Sequence, residues 1–114
     1  MAKVYKIAAR TDWDGAVRNG AFQGAAIDLR DGYIHLSTAA QAQETARLHF
    51  AGQTGLVLLR IDAAALGAAL KWEPSRGGAL FPHLYAPLAC DLVEAVTDIA
   101  LAADGTPQLG DLAA

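Results

Sequence analysis

The chain has 114 residues, 54% of them hydrophobic and 18% charged, enough for one domain with a single core. Its 9 lysines and arginines stand against 12 aspartates and glutamates, a formal net charge of −3 with no arginine run, which excludes an electrostatic track for a nucleic-acid backbone. One cysteine, Cys90, leaves no internal disulfide, the first residues lack a signal-peptide core, and no window approaches the roughly 18 apolar residues of a bilayer span, so a cytoplasmic protein without a membrane partner is expected.

The first element, residues 4–9 (VYKIAA), is short, apolar and rich in β-formers, and it reads as a strand. Thr11 and Asp14 then stand at capping-box spacing and Gly20 follows as a stop, which predicts a helix over residues 12–19. Residues 21–32 read as a loop. Strand character resumes at GYIHLS, residues 32–37, where Tyr33, His35 and Ser37 would share one side while Ile34 and Leu36 face a core. Thr38 and Gln41 repeat the capping-box signature before a helix ending near His49. The strand thus enters a helix N-terminus whose N–H groups favour an acidic ligand group beside Ser37 and Thr38, unless Thr38 is simply a cap.

GLVLLRI, residues 55–61, is a continuous apolar run bounded by turn residues, the pattern of a central strand covered on both faces. Asp62 caps a short helix through Leu66, LKWE at 70–73 is another strand, and PSRGG at 74–78 is a flexible loop carrying Arg76. LFPHLYAPL places His83 and Tyr85 on one side, and Pro82 and Pro87 confine it to a sheet edge or to a short irregular extension. Residues 91–101 supply the last strand, and Asp104-Gly105 turns a tail expected to be loosely held from about residue 103.

His35 with Tyr33 and Ser37, opposite His83 with Tyr85, is the strongest chemical constellation. Imidazoles titrate near neutrality and both donate and accept hydrogen bonds, while tyrosines offer a stacking face and a hydroxyl. His35 and His83 are therefore the candidate catalytic residues, with Glu73 and Arg76 near the rim of a cleft. The competing reading makes the histidines buried hydrogen-bonding residues that join two strands. Three histidines and one cysteine without short-range pairing supply no zinc pattern, so no metal is expected. Ser37 lacks the setting of a nucleophile elbow. His49 reads as a solvated helix-end residue, and Trp13 and Trp72 as packing.

The segments VYKIAARTDWDGAVRNGAFQG, DGYIHLSTAAQ and KWEPSRGGALFPHLYAPL together resemble the bacterial domain-of-unknown-function family 952, over nearly the whole chain to about Val96. That family is similar in fold to the ADP-ribosyltransferase superfamily, whose members bind NAD in a cleft of a split, mostly antiparallel sheet. The resemblance implies an α+β single domain over residues 1–114, with a split sheet, two main helices, and NAD or a related nucleotide as ligand or substrate. VYKI resembles the first transferase motif, which places Lys6 near the ribose. GYIHLSTAAQ resembles the second, in which Tyr33, His35, Ser37 or Thr38 faces nicotinamide. The third motif needs a late-strand glutamate, and neither Glu73 nor Glu94 stands in its sequence context. The expected cleft is lined by His35, Ser37, Thr38, His83 and Tyr85, with Lys6, Glu73 and Arg76 near its rim and Lys6 or Arg76 meeting phosphate. The alternative is a non-catalytic scaffold that binds a metabolite or a protein partner.

Overall fold

Leu56, Val57, Leu58, Leu59 and Ile61 are all buried, so the strand that contains them must be covered on both faces. The computed structural model describes residues 2–114 and shows what covers it. In chain order, β1 (Lys3–Ala9) leads to α1 (Arg10–Asn19), β2 (Ala21–Phe22), α2 (Ala26–Asp31), β3 (Ile34–His35), β4 (Ser37–Thr38), α3 (Ala39–His49) and β5 (Leu56–Asp62). A 3₁₀ stretch at Ala63–Ala69 precedes β6 (Leu70–Pro74), β7 (Leu80–Leu84), β8 (Leu88–Ala89), β9 (Val93–Asp98), β10 (Ala100–Leu101) and β11 (Pro107–Gln108).

All strand pairs are antiparallel. One sheet has the order β4-β1-β5-β9 and a second the order β3-β7-β6, with two small ladders, β2-β8 and β10-β11, beside them. β5 is central in the first sheet, as its unbroken apolar run predicts. The two sheets exchange the chain at Leu36, which separates β3 from β4 and donates its N–H to the Pro82 carbonyl at 3.0 Å. Val4 and Ala8 of β1 join Val57, Leu59 and Ile61 in a core that reaches Trp13, Ile34 and Leu84. The opposite face, Tyr5 and Ile7 with Leu56 and Leu58, lies under Ala42 and Ala46 of α3. By strand parity Lys6 shares the first face with Val4 and Ala8.

Several local expectations need correction. α1 starts at Arg10 rather than near residue 12, and no side chain caps it, because β1 passes straight into it and leaves Thr11 inside the helix. Its end is as read: Gly20, at φ 87°, donates its N–H to the Ala16 carbonyl. Residues 21–32 are not only loop, since they hold β2 and α2. β7 is not an edge strand but the middle of its sheet. It tolerates Pro82 because the proline's carbonyl, and hence its missing N–H, faces the side where β3 has ended and the chain turns away at Leu36. The segment after residue 103 is held rather than loose: β11 pairs with β10, the Gln43 side chain bonds Pro107 O and Leu109 N, and Tyr5 Oη donates to Ala113 O at 2.6 Å.

Leu59, fully buried in the central strand, sets a test of this packing. Leu59→Ala is expected to cost about 3 kcal/mol in urea unfolding, against roughly 0.5 kcal/mol or less for Val96→Ala on an exposed part of β9. Equal losses in the two variants would contradict the assignment of β5 to the centre.

Candidate functional site

Asp28 is the third residue of α2 and is 2% exposed. From there its carboxylate reaches back to accept the Ala25 N–H at 2.8 Å, half of a capping box. It also accepts from Lys6 Nζ, 2.9 Å from Oδ2, and from the His35 N–H at 3.0 Å, while His35 Nδ1 lies 2.6 Å from Oδ1. Gly24 is needed beside it: at φ +117°, an added Cβ would come within 2.8 Å of the Asp28 Cβ. Burial on its own would raise the Asp28 carboxyl, but the His35 hydrogen bond and the Lys6 charge outweigh it and hold the group well below the usual carboxylate range. Burial lowers the Lys6 ammonium, with Asp28 opposing the shift. The second ring nitrogen of His35, Nε2, lies 3.0 Å from Asp31 Oδ2, so both imidazole nitrogens face carboxylates.

His83 is held differently. Its Nδ1 lies 2.8 Å from Glu73 Oε1, and the same oxygen accepts the Tyr85 hydroxyl at 2.7 Å. The Glu73 hydrogen bond pushes the Tyr85 phenol up to about 12, and Tyr85 and His83 together pull Glu73 down. His83 Nε2 makes no hydrogen bond with any described residue. His35 and His83 face each other in the β3-β7 register, with ring centroids 5.7 Å apart. Tyr33 stacks on His83 at 4.1 Å and lies 4.6 Å from His35.

Beside this cluster is a cavity of about 340 Å³. It forms because β4 covers β1 only at Val4 and Tyr5, leaving Lys6 and Ile7 along an open edge. Two polar groups border it: Lys6, His35 and His83, and Ser37, Thr45, His49 and Arg76. Phe50, Phe81, Leu36 and Ile27 supply the apolar wall. Ser37 Oγ is 3.1 Å from Thr45 Oγ1, which accepts from Arg76 Nη1 at 3.2 Å, and the Arg76 guanidinium lies over the Phe81 ring at 4.8 Å.

His35, His83, Ser37 and Arg76 border one space. Lys6 also borders it but is no rim residue: it is 5% exposed and tied to Asp28, which corrects its expected phosphate role. Glu73 orients His83 rather than standing free at the rim. Thr38 takes its bland alternative, capping α3 by accepting the Gln41 N–H at 3.2 Å. Tyr33 and Tyr85 border a second hollow of about 270 Å³ that also touches Asp28 and Leu29. Glu94 bonds Lys3 at 2.6 Å and does not border the larger cavity. Sequence reading missed Asp28, hidden in a segment taken for loop, and Thr45. His49 is exposed at the end of α3, as expected, and lies one turn after Thr45, the spacing that shares a helix face, so it also borders the cavity.

Fold and site together define a small single-domain α+β protein, mostly antiparallel, with a largely apolar cavity, edged by polar side chains, beside the junction of two sheets. Residues 7–96 match the family described as protein of unknown function DUF952, and the chain belongs to that family. It is similar to protein CC0527 from Caulobacter crescentus. The X-ray structure of that protein shares 57% identity over 96% of each chain at a TM-score of 0.94. Its solution NMR structure shares 57% identity over 96% of this chain and 94% of that one, at a TM-score of 0.86. No curated protein matches the chain. No helix among the described residues is long and apolar enough to cross a membrane.

The lowered Asp28 value carries a pH dependence of stability. A carboxyl depressed on folding contributes stability that is present above its unfolded value, about 4, and lost as pH falls toward its folded value. The unfolding free energy should therefore decline below about pH 4, and less steeply in Asp28→Asn than in the wild type. Parallel declines in the two proteins would show that Asp28 is not the group responsible.

Proposed function

We propose that the cavity binds a small nucleotide-like molecule, NAD or a part of it, and that His83 is the group that hydrogen-bonds the ligand or takes a proton from it. The carrying observation is the state of its ring: Nδ1 is fixed by Glu73, Nε2 has no partner among the described residues, and the ring borders a cavity. An imidazole oriented by a carboxylate through one nitrogen offers the other to a ligand, and about 340 Å³ is within the usual range of small-molecule sites. His35, with both nitrogens engaged, serves as a positioning residue in this scheme.

The ADP-ribosyltransferase-like reading rests on the motif resemblance and agrees with two antiparallel sheets that meet at Leu36. Cleavage of a glycosidic bond would need a carboxylate at the ribose, and among the described residues Glu73 reaches the cavity only through His83, as Asp28 does through Lys6 and His35. A second reading, a non-catalytic scaffold for a metabolite or protein partner, is favoured by the hold of Asp28 and Asp31 on His35. A cytoplasmic setting suits either.

Isotope-labelled protein titrated with NAD, ADP-ribose and nicotinamide tests the first reading. Saturable amide shifts at His35, Leu36, Ser37 and His83, with affinity about tenfold weaker in His83→Gln, are expected. Absence of any response at millimolar ligand would remove the nucleotide and leave the scaffold.

A further inference from the structure

We infer that the Arg76, Thr45 and Ser37 group is an oxyanion subsite that takes a phosphate group. The inference rests on the reading of the cavity as a ligand site and names the chemistry of one part of that ligand.

The donors decide it. Arg76 gives one N–H to Thr45 Oγ1, and its remaining guanidinium N–H groups meet no acceptor among the described residues. Thr45 and Ser37 share one hydrogen bond, and whichever hydroxyl donates, the other keeps its proton. The group is therefore rich in donors and poor in acceptors, the arrangement an oxyanion completes. Phe81 holds the guanidinium from below by its ring face, which orients it without using a donor.

Charge points the same way. Lys6, the other lysine or arginine on the cavity wall, is paired with Asp28. Arg76 has no carboxylate within ion-pair distance among the described residues, in a chain of net charge −3. Glu44, on the same helix as Thr45, is already gripped by Arg47, whose Nε and Nη2 lie 2.6 and 2.7 Å from its two oxygens. His49, one turn after Thr45, borders the same cavity and adds a further donor. The donors come from three separate elements, α3, β4 and the turn after β6, so they can meet different oxygens of a tetrahedral phosphate.

The test follows amide shifts while adding inorganic phosphate, ribose 5-phosphate, ribose, acetate and NAD in turn. Phosphate and ribose 5-phosphate should shift Ser37, Thr45 and Arg76 saturably, and ribose should not. Arg76→Gln should weaken ribose 5-phosphate at least about tenfold and Thr45→Val about threefold, with melting temperatures unchanged. No response to phosphate, a response undiminished in Arg76→Gln, or an acetate response equal to that of phosphate would overturn the subsite. A phosphate response without an NAD response keeps the subsite and removes NAD. NAD binding that Arg76→Gln leaves unchanged does the reverse.

Discussion

A carboxylate kept charged inside a protein must be met by donors, and the donors that meet Asp28 come from three places. Lys6 belongs to β1 of the larger sheet, His35 to β3 of the smaller one, and the Ala25 N–H to the entry of α2. Removing a partner from such a buried pair costs several kcal/mol, because the group left behind has no water to turn to. The two sheets and the short helix are therefore fixed to one another at this point. It is also where β4 stops covering β1 and the chain passes between sheets at Leu36, so the cavity opens beside the ion pair.

The same interaction divides the labour of the site. Lys6 has its charge paired with Asp28, and both ring nitrogens of His35 face Asp28 and Asp31, which leaves that side of the wall largely satisfied. His83, backed by Glu73 and stacked on Tyr33, presents a single available nitrogen. Arg76 with Thr45 and Ser37 presents a surplus of donors. A ligand satisfying both groups would carry an anion at one part and a hydrogen-bonding group at another, with apolar contact to Phe50 and Phe81 between. A phosphorylated nucleoside-like molecule has that distribution of chemistry.

Much of the frame was legible in the chain because it depends on local pattern. The apolar run around Leu58 marks a central strand, Thr38 and Gln41 mark the start of α3, and alternation across Ile34–His35 and through His83 brings the imidazoles together. What escaped depends on tertiary context. Asp28 lies in a short helix without a side-chain cap, and its importance comes from Lys6, far off in sequence on another sheet. Pro82 argues for an edge by a rule about neighbours on both sides, and the rule gives way because β3 is only two residues long. The tail after residue 103 is polar and turn-rich, yet Gln43 and Tyr5 supply bonds that no local signal announces. Arg76 was visible as a loop cation, while its relay to Ser37 through Thr45 needed the register of α3.

A double-mutant cycle on Lys6 and Asp28 by urea unfolding tests the central claim most directly. Asp28→Asn alone should cost about 3–5 kcal/mol, because it strands a buried ammonium, and adding Lys6→Met should recover a large part of that loss. The single variant should also shift amides of both β1 and β3. A small loss in Asp28→Asn, or additive losses in the double variant, would mean that the pair does not join the two sheets.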